Sequence, residues 1–309
     1  MIRVSIIIPC YNEQARIGNL LAAIHAQTFP TRDMEVIIAD GLSEDRTRVE
    51  ISNFAASHPD LPIKVIDNPK RVIPAALNLA LRAAQGEIII RMDGHSLPYP
   101  DYVEKCVDDL NTGLGTNVGG VWEIHPGAPG KVAAAIAVAA AHPLGAGDAN
   151  YRRAVRPGSV DTVPFGAFKR KILATIGFFN DSLLTNEDYE FNARIRQAGG
   201  VVWFDPAIRS VYFARSTFAG LARQYGRYGF WKWKMLRRFP GTLRWRQGLP
   251  PVFVAGLILG FIMVWILPVF WIPYASAVGT YLVVLILAGL QAAFKNKQLA
   301  YLLYLPLAI

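Results

Sequence analysis

The sequence predicts an α/β fold: a Rossmann-like, mostly parallel sheet followed by a C-terminal α-helical transmembrane region. Three observations predict it. Apolar, β-branched runs at Val4–Pro9, Val36–Ala39 and Ile88–Ile90 each end in a cluster of carboxylates or amides. Helical stretches separate these runs, giving the βαβαβ order of a doubly wound sheet. Further on, 252–272 and 274–294 are uncharged apolar stretches, each of the roughly 20 residues that a bilayer-crossing helix needs.

The first run leads into Cys10-Tyr11-Asn12-Glu13, the second into Asp40-Gly41, and the third into Arg91-Met92-Asp93-Gly94-His95. Continuous apolar runs suit strands buried on both faces. In open α/β sheets ligands bind beyond the carboxyl ends of the strands, so polar groups there point to one shared crevice. Asp and Gly after a single strand also mark plain turns; three such strands in order, with helices between, favour a site. Helices are expected at Gln14–Ala26, at Val72–Gln85 with Pro74 near its first turn and Gly86 past its end, at Pro100–Leu110, and over the Ala-rich Val132–Ala141. Val118–Ile124 reads as a strand and 142–160 as a loop over the site. Asn186-Glu187-Asp188-Tyr189-Glu190 opens a further helix. Asn186 can cap it, and acids in a first turn suit the helix dipole. The same acids can also serve as a general base aimed into the crevice. Asp188 is the candidate base, with Glu187 in support.

Charge divides the chain. Among 309 residues, the formal net charge of +9 arises entirely after residue 214: 1–214 sums to −2, 215–246 holds nine basic residues and no acid, and Lys295 and Lys297 follow. Arg223, Arg227, Lys232, Lys234, Arg237 and Arg238 alternate with Tyr225, Tyr228, Phe230, Trp231 and Trp233. Such interleaving suits either single-stranded nucleic acid or a helix lying among lipid head groups. The adjoining spans select the lipid membrane and exclude nucleic acid as partner. Trp265, Trp271 and Tyr274 sit where interfacial aromatics are expected, and the positive-inside rule leaves the N-terminal domain in the cytoplasm. The organisation expected is 1–214 as catalytic domain, 215–248 as basic, aromatic interfacial helices, and 249–309 as the membrane region, with 299–309 too short to cross. Two cysteines, Cys10 and Cys106, make neither a disulfide framework nor a zinc pattern. The N-terminus lacks the charged and long apolar regions of a signal peptide.

An Asp-x-His element after a buried strand can hold a divalent cation, since Mg²⁺ and Mn²⁺ favour carboxylate oxygens and bridge to phosphates. Asp93 is the anchor and His95 stands where a second carboxylate would.

Taken together, Ile-Ile-Ile-Pro-Cys-Tyr-Asn-Glu, Ala-Asp-Gly-Leu-Ser-Glu-Asp-Arg-Thr, Met-Asp-Gly-His and Asn-Glu-Asp-Tyr-Glu-Phe resemble family 2 glycosyltransferases of the GT-A fold, in the right order over roughly residues 3–215. Within that family, Gly-Asp-Ala-Asn-Tyr-Arg (147–152), Val-Asp-Thr-Val-Pro-Phe-Gly (160–166) and the membrane tail look like the branch that extends lipid-linked sugars in bacterial exopolysaccharide synthesis. The resemblance implies an inverting hexosyltransferase of the bacterial cytoplasmic membrane. Its donor would be a UDP-sugar, UDP-glucose by analogy, its metal Mn²⁺ or Mg²⁺, and its acceptor a polyprenyl-diphosphate-linked saccharide, with other polysaccharide-assembly enzymes as partners. Pro9, Tyr11 and Glu13 would line the nucleoside pocket and Asp40 would bond the uracil. Arg71 and Asn78 would lie near the nucleotide, Asp93 would hold ribose or metal, His95 the metal, and Asp188 would be the base. Gln224-x-x-Arg227-Tyr228 is similar to an acceptor- and diphosphate-side Gln-x-x-Arg-Trp element, with Tyr in place of Trp. Some relatives carry a late metal-binding His; none follows His142 here, and Tyr212 falls near that position. The competing expectations are a polyprenyl-phosphate glycosyltransferase and a non-catalytic, membrane-anchored nucleotide-binding protein.

Overall fold

The structure, a computed structural model, describes residues 2–146, 150–152, 156–238 and 245–309. Residues 147–149 of the Gly-Asp-Ala-Asn-Tyr-Arg motif, part of the 142–160 loop, and 239–244 of the basic segment lie outside the described residues.

In chain order the elements are β1 (Val4–Cys10), α1 (Ile17–His25), β2 (Met34–Asp40), α2 (Thr47–Ser57), β3 (Ile63–Asp67), α3 (Ile73–Ala83), β4 (Ile88–Arg91), β5 (Leu97–Pro98), α4 (Tyr102–Asn111), β6 (Asn117–His125), α5 (Lys131–Ala141), α6 (Pro143–Ala146), β7 (Gly158–Ser159), β8 (Ala167–Lys169), α7 (Leu173–Ile176), α8 (Glu187–Gln197), β9 (Val202–Phe213), α9 (Phe218–Arg238), α10 (Trp245–Ile266), α11 (Trp271–Asn296) and α12 (Tyr301–Ala308). The strands form one sheet in the order β3-β2-β1-β4-β8-β6-β9-β5, with β7 also on β9. Parallel pairing holds from β3 to β4. Beyond β4 the sheet becomes mixed, because β8 runs antiparallel to both β4 and β6, and β5 and β7 run antiparallel to β9. The parallel half matches the apolar runs of the sequence. The antiparallel half includes pieces as short as the two residues of β5 and of β7, which carry no periodicity to read.

Alternation along the central strands fills two cores. Val4, Ile6 and Ile8 of β1 join Val36 and Ile38 of β2, Leu20, Leu21 and Ile24 of α1, and Val103 and Val107 of α4. Ile7, Ile37 and Ile89 face the other way, against Leu77, Ala80 and Leu81 of α3 and Phe191 and Ile195 of α8. A buried polar knot ties the strand starts: Ser5 Oγ donates to Glu35 (2.6 Å), which also accepts from Gln85 N–H (2.7 Å), while Gly86 N–H donates to Ser5 Oγ (2.8 Å). A Cβ on Gly86 would lie 2.7 Å from Ser5 N, so only glycine allows this approach.

By packing, the described chain resolves into two units. The first comprises Met1–Glu123, Asn150–Phe213 and Arg227–Met235 and holds almost all of the sheet. The second comprises Ile124–Ala149, Ala214–Gly226 and Leu236–Ile309. Ala-rich α5, placed with the catalytic domain on sequence grounds, packs in the second unit against α12. There α11 packs against α12, and a Cβ on Gly289 would lie 3.2–3.3 Å from the Tyr301 and Leu302 backbone. Two helical stretches, Gly248–Ile266 and Pro268–Asn296, are long and apolar enough to cross a membrane by length and composition. The helical path breaks at Leu267, ahead of a turn at Pro268–Phe270, as the Pro268 ring dictates. Trp265 is 77% exposed and Phe294 81%.

Candidate active site

From β1 the chain steps outward to β2 and β3, then returns to β4 on the other side of β1. The carboxyl ends of β1 and β4 therefore flank a topological switch point, where the strand order opens a crevice. The register sets Cys10 beside Asp40, Asp40 beside Asp67, and Ile7 beside Arg91. The turn after β4 is closed by Ser96, whose N–H and Oγ both donate to the Asp93 carbonyl (3.0 and 2.8 Å). That turn displays Asp93 and His95 toward the loop after β1. His95 Nδ1 lies 2.9 Å from Glu13 Oε1, and a Cβ on Gly94 would sit 3.1 Å from Glu13 Cγ.

On the nucleoside side, the loops after β1 and β2 are stitched by side chain–backbone bonds. Asn12 N–H donates to Ser43 Oγ, Glu13 N–H to Thr47 Oγ1, Gln14 N–H to Asp45 and Glu44 N–H to Asn12 Oδ1. Pro9 sits within β1 opposite Ala39. Tyr11 is exposed, lies against Gly41, and has the Arg71 guanidinium 5.5 Å above its ring. Tyr11, Gly41 and Arg71 thus make an open aromatic-cationic floor, suited to a flat base and an anionic tail. Asp40 is fully buried: it accepts from Ser43 N–H and Oγ (3.0 and 2.5 Å) and from Arg48 Nε (2.5 Å). Arg48 also reaches Asp67 at 2.6 Å. Both Asp40 oxygens are thus taken up by Ser43 and Arg48.

The other half of the crevice centres on Arg91, the last residue of β4 and 6% exposed. Its Nη2 lies 3.2 Å from Asp93 Oδ1 and 2.9 Å from Glu187 Oε1. Burial disfavours the guanidinium charge, but Asp93, Glu187 and Asp188 outweigh it and hold its pKa above the ordinary value. Burial, with repulsion from Asp188, pushes Glu187 up to about 7 despite the ion pair. Asp188 is half-buried, and its Oδ1 accepts the N–H of Tyr189 (2.7 Å). Tyr189 in turn donates its hydroxyl to buried Asp161 (3.1 Å) and carries Lys232 Nζ over its ring at 3.7 Å.

Among the described residues, no three His, Cys, Asp or Glu side chains converge as a ready-made metal centre. The donor set still fits a divalent cation that completes its shell with substrate phosphates. Asp93 offers a carboxylate, and the Glu13 contact to Nδ1 leaves His95 Nε2 as the ligating nitrogen, the usual carboxylate–histidine arrangement. The Glu13 hydrogen bond raises the His95 pKa against the opposing effect of burial. Glu13, expected in the nucleoside pocket, thus stands beside the candidate metal ligand.

The remaining residues read from the sequence have the following partners. Asn78 is buried, and its amide is taken up by structure: Nδ2 donates to the Phe179 carbonyl (2.8 Å) and Asp181 (2.6 Å), and Oδ1 accepts from Phe179 N–H. Gln224, Arg227 and Tyr228 lie on α9, where Gln224 Oε1 accepts from Arg215 (3.3 Å). Tyr212 stacks on Trp122, 4.3 Å between ring centres. Asn186 precedes α8 without a side-chain capping bond, because it adopts the left-handed region at φ 67°. Arg91, Arg48, Asp161 and Lys232 were missed by sequence reasoning. Only Arg91 carried a signal, a charge closing an otherwise apolar strand.

Five non-glycine residues near these loops hold positive φ: Asn12 (54°), Leu42 (60°), Arg71 (52°), Phe165 (50°) and Asn186 (67°). For Leu and Phe this is a sterically costly conformation, and it lies where the crevice is lined.

Compared with known proteins, residues 5–177 match the family model described as glycosyl transferase family 2. The chain is similar to the succinoglycan biosynthesis protein ExoA of Rhizobium meliloti, 30% identical over 264 residues, covering 84% of this chain and 77% of that protein. It is 27% identical over 253 residues to the dolichyl N-acetyl-alpha-D-glucosaminyl phosphate 3-beta-D-2,3-diacetamido-2,3-dideoxy-beta-D-glucuronosyltransferase of Methanococcus voltae, covering 78% and 76%. Among solved structures, the mannosyltransferase PcManGT from Pyrobaculum calidifontis, in complex with GDP-Man and Mn²⁺, shares the fold at a TM-score of 0.61 and 23% identity, over 99% of this chain and 85% of that one. Residues 1–349 of S. aureus TarS in complex with UDP share it at 0.53 and 16% identity, over 71% of this chain and 63% of that one. The fold is GT-A-like, and the chain belongs to glycosyl transferase family 2.

Proposed function

We propose that the chain is a membrane-bound, inverting hexosyltransferase. It moves a sugar, glucose from UDP-glucose, onto a saccharide carried by polyprenyl diphosphate at the cytoplasmic face of a bacterial membrane, in exopolysaccharide synthesis. The observation that carries the reading is the meeting of Asp93 with the Glu187-Asp188 turn across buried Arg91. It supports a diphosphate-side carboxylate and a candidate base that share one crevice. The name of one relative, a transferase acting on a dolichyl-phosphate-linked sugar, supports a lipid-linked acceptor, and that of another, a succinoglycan biosynthesis protein, supports polysaccharide synthesis. The GDP-Man and Mn²⁺ of a fold relative support a nucleotide-sugar donor and a divalent cation.

The donor base stacks on Tyr11, with Arg71 above the ring. Asp188 takes the proton from an acceptor hydroxyl as that oxygen attacks the anomeric carbon from the face opposite the leaving nucleoside diphosphate. Proton acceptance and one in-line displacement invert the anomeric centre without a covalent nucleophile. Glu187, held by Arg91, keeps the turn in place. Asp93 and His95 would hold a divalent cation, which would offset charge building on the departing diphosphate. The cations and aromatics of α9 sit among head groups near the acceptor diphosphate.

The test is release of nucleoside diphosphate by the full chain in detergent. It uses a panel of UDP-, GDP- and dTDP-sugars, with Mn²⁺ or EDTA, with and without a polyprenyl-diphosphate-linked sugar. EDTA-sensitive release that rises with that acceptor is expected, and Asp188→Asn should abolish transfer while donor binding persists. Near-normal turnover by Asp188→Asn would refute the base assignment. Response to bare polyprenyl phosphate alone would replace the acceptor with a lipid monophosphate, and nucleotide binding without turnover would leave a binding protein.

A further inference from the structure

Arg91 has a strand position that sheet burial argues against, since a lone guanidinium at the end of Ile-Ile-Ile would be expelled unless held. It is held on one nitrogen by two carboxylates from different parts of the chain: Asp93 from the turn after β4, and Glu187 from the first turn of α8. Its Nε and Nη1 are buried and find no hydrogen-bond partner. Its backbone is fixed as well, the N–H donating to the Gly166 carbonyl (3.2 Å). Asp93 lies on the donor side of the crevice, and Glu187 immediately precedes the candidate base. No other cation forms an ion pair with either carboxylate among the described residues.

We propose that Arg91 is a positioning residue that locks Asp93 and the Glu187-Asp188 turn into one ion-paired frame. The donor diphosphate and the acceptor hydroxyl are thereby held at a fixed separation. This inference rests on the glycosyl-transfer reading above. It assigns Arg91 no contact with substrate. Its effect passes through two other side chains, which meet at its Nη2. A lysine ammonium in the same place can bond both carboxylates, but on a flexible stem it fixes their positions less well than a rigid guanidinium. A misplacement of about 1 Å at a reacting centre costs on the order of 100-fold in rate.

Arg91→Met alone leaves Glu187 buried without a counter-ion and is expected to fold poorly. Arg91→Met combined with Glu187→Gln removes both charges, and replacing a buried ion pair with neutral groups of similar volume is often neutral for stability. The full chain carrying the double substitution, and the full chain carrying Arg91→Lys, are purified in detergent. Thermal unfolding, the Kd for nucleotide sugar by titration calorimetry, and kcat and acceptor KM for transfer are then measured. The double variant should melt within about 4 °C of the parent, as a change near 1 kcal/mol allows, and bind donor within about threefold. Its kcat should fall on the order of 100-fold, and Arg91→Lys should recover part of that loss. Transfer by the double variant within about threefold of the parent would overturn the proposal. So would full activity of Arg91→Lys, or a loss of donor affinity as large as the loss in kcat. A parent chain that transfers no sugar from any donor would refute the underlying reading, and this inference with it.

Discussion

Asp109 on α4 offers a stability prediction with a definite sign. It is 8% exposed, and its Oδ2 has no hydrogen-bond partner. Burial, then the charges of Asp205 and Asp108, push its carboxyl from 3.8 up to about 6. The folded state thus binds this proton more tightly than the unfolded chain. The penalty for the buried charge is absent below the unfolded value, grows as pH rises toward the folded one, and is complete above it. A shift of about two units corresponds to roughly 3 kcal/mol. Asp109→Asn removes the charge but keeps a buried amide, whose unmet bonds cost about 1–2 kcal/mol. The substitution should therefore stabilise the folded chain by about 1–2 kcal/mol near pH 8, or some 2–8 °C in Tm. The gain should vanish as pH falls to about 5 and give way to a small net loss below about pH 4. Thermal unfolding of the full chain in detergent across this pH range measures it. An advantage of equal size at both ends, or a variant less stable near pH 8, would refute the reasoning.

Two further substitutions probe the frame. A Cβ on Gly120 would lie 1.7 Å from the Ile208 carbonyl oxygen, so Gly120→Ala must part β6 from β9 and should abolish folded protein. Gly158→Ala, with open space around its Cβ, should express normally; comparing the yield of folded protein checks both. Arg48→Met leaves Asp40 buried and uncompensated. It should destabilise the chain by about 2–3 kcal/mol, below the range for a fully buried pair because Arg48 is 41% exposed, and it should weaken nucleotide binding. Denaturant unfolding should show recovery when Asp40→Asn is added, and stability unchanged in Arg48→Met would refute the role given to that pair.

The parts of the fold legible in the sequence were those with a long, repeated physical signature. β1, β2 and β4 are apolar runs that nothing but a buried strand explains, and α3 announces itself with Pro74 at its start. β3 escaped notice because it is an edge strand whose Lys64 and Val65 face water, so its pattern is not that of a buried strand. Asp93, His95 and the Glu187-Asp188 turn were legible as types and positions. Their partners were not, because pairing is a property of three-dimensional register. The ring of Tyr11 and the side chain of Arg71 meet, whereas the Asn78 amide bonds the Phe179 backbone. Arg91 was visible as an anomaly, but no spacing rule says that Glu187, 96 residues later, answers it.

The left-handed residues along the crevice bear on how this chain can be improved. Each non-glycine residue held there stores about 1–3 kcal/mol, and glycine at Leu42 or Phe165 would release part of it. A search for heat-resistant variants would therefore be drawn to the loops that shape substrate, where gains in stability are commonly repaid in lost activity. The buried knot of Ser5, Glu35 and Gly86, at the opposite ends of the same strands, is the place to add robustness without touching turnover.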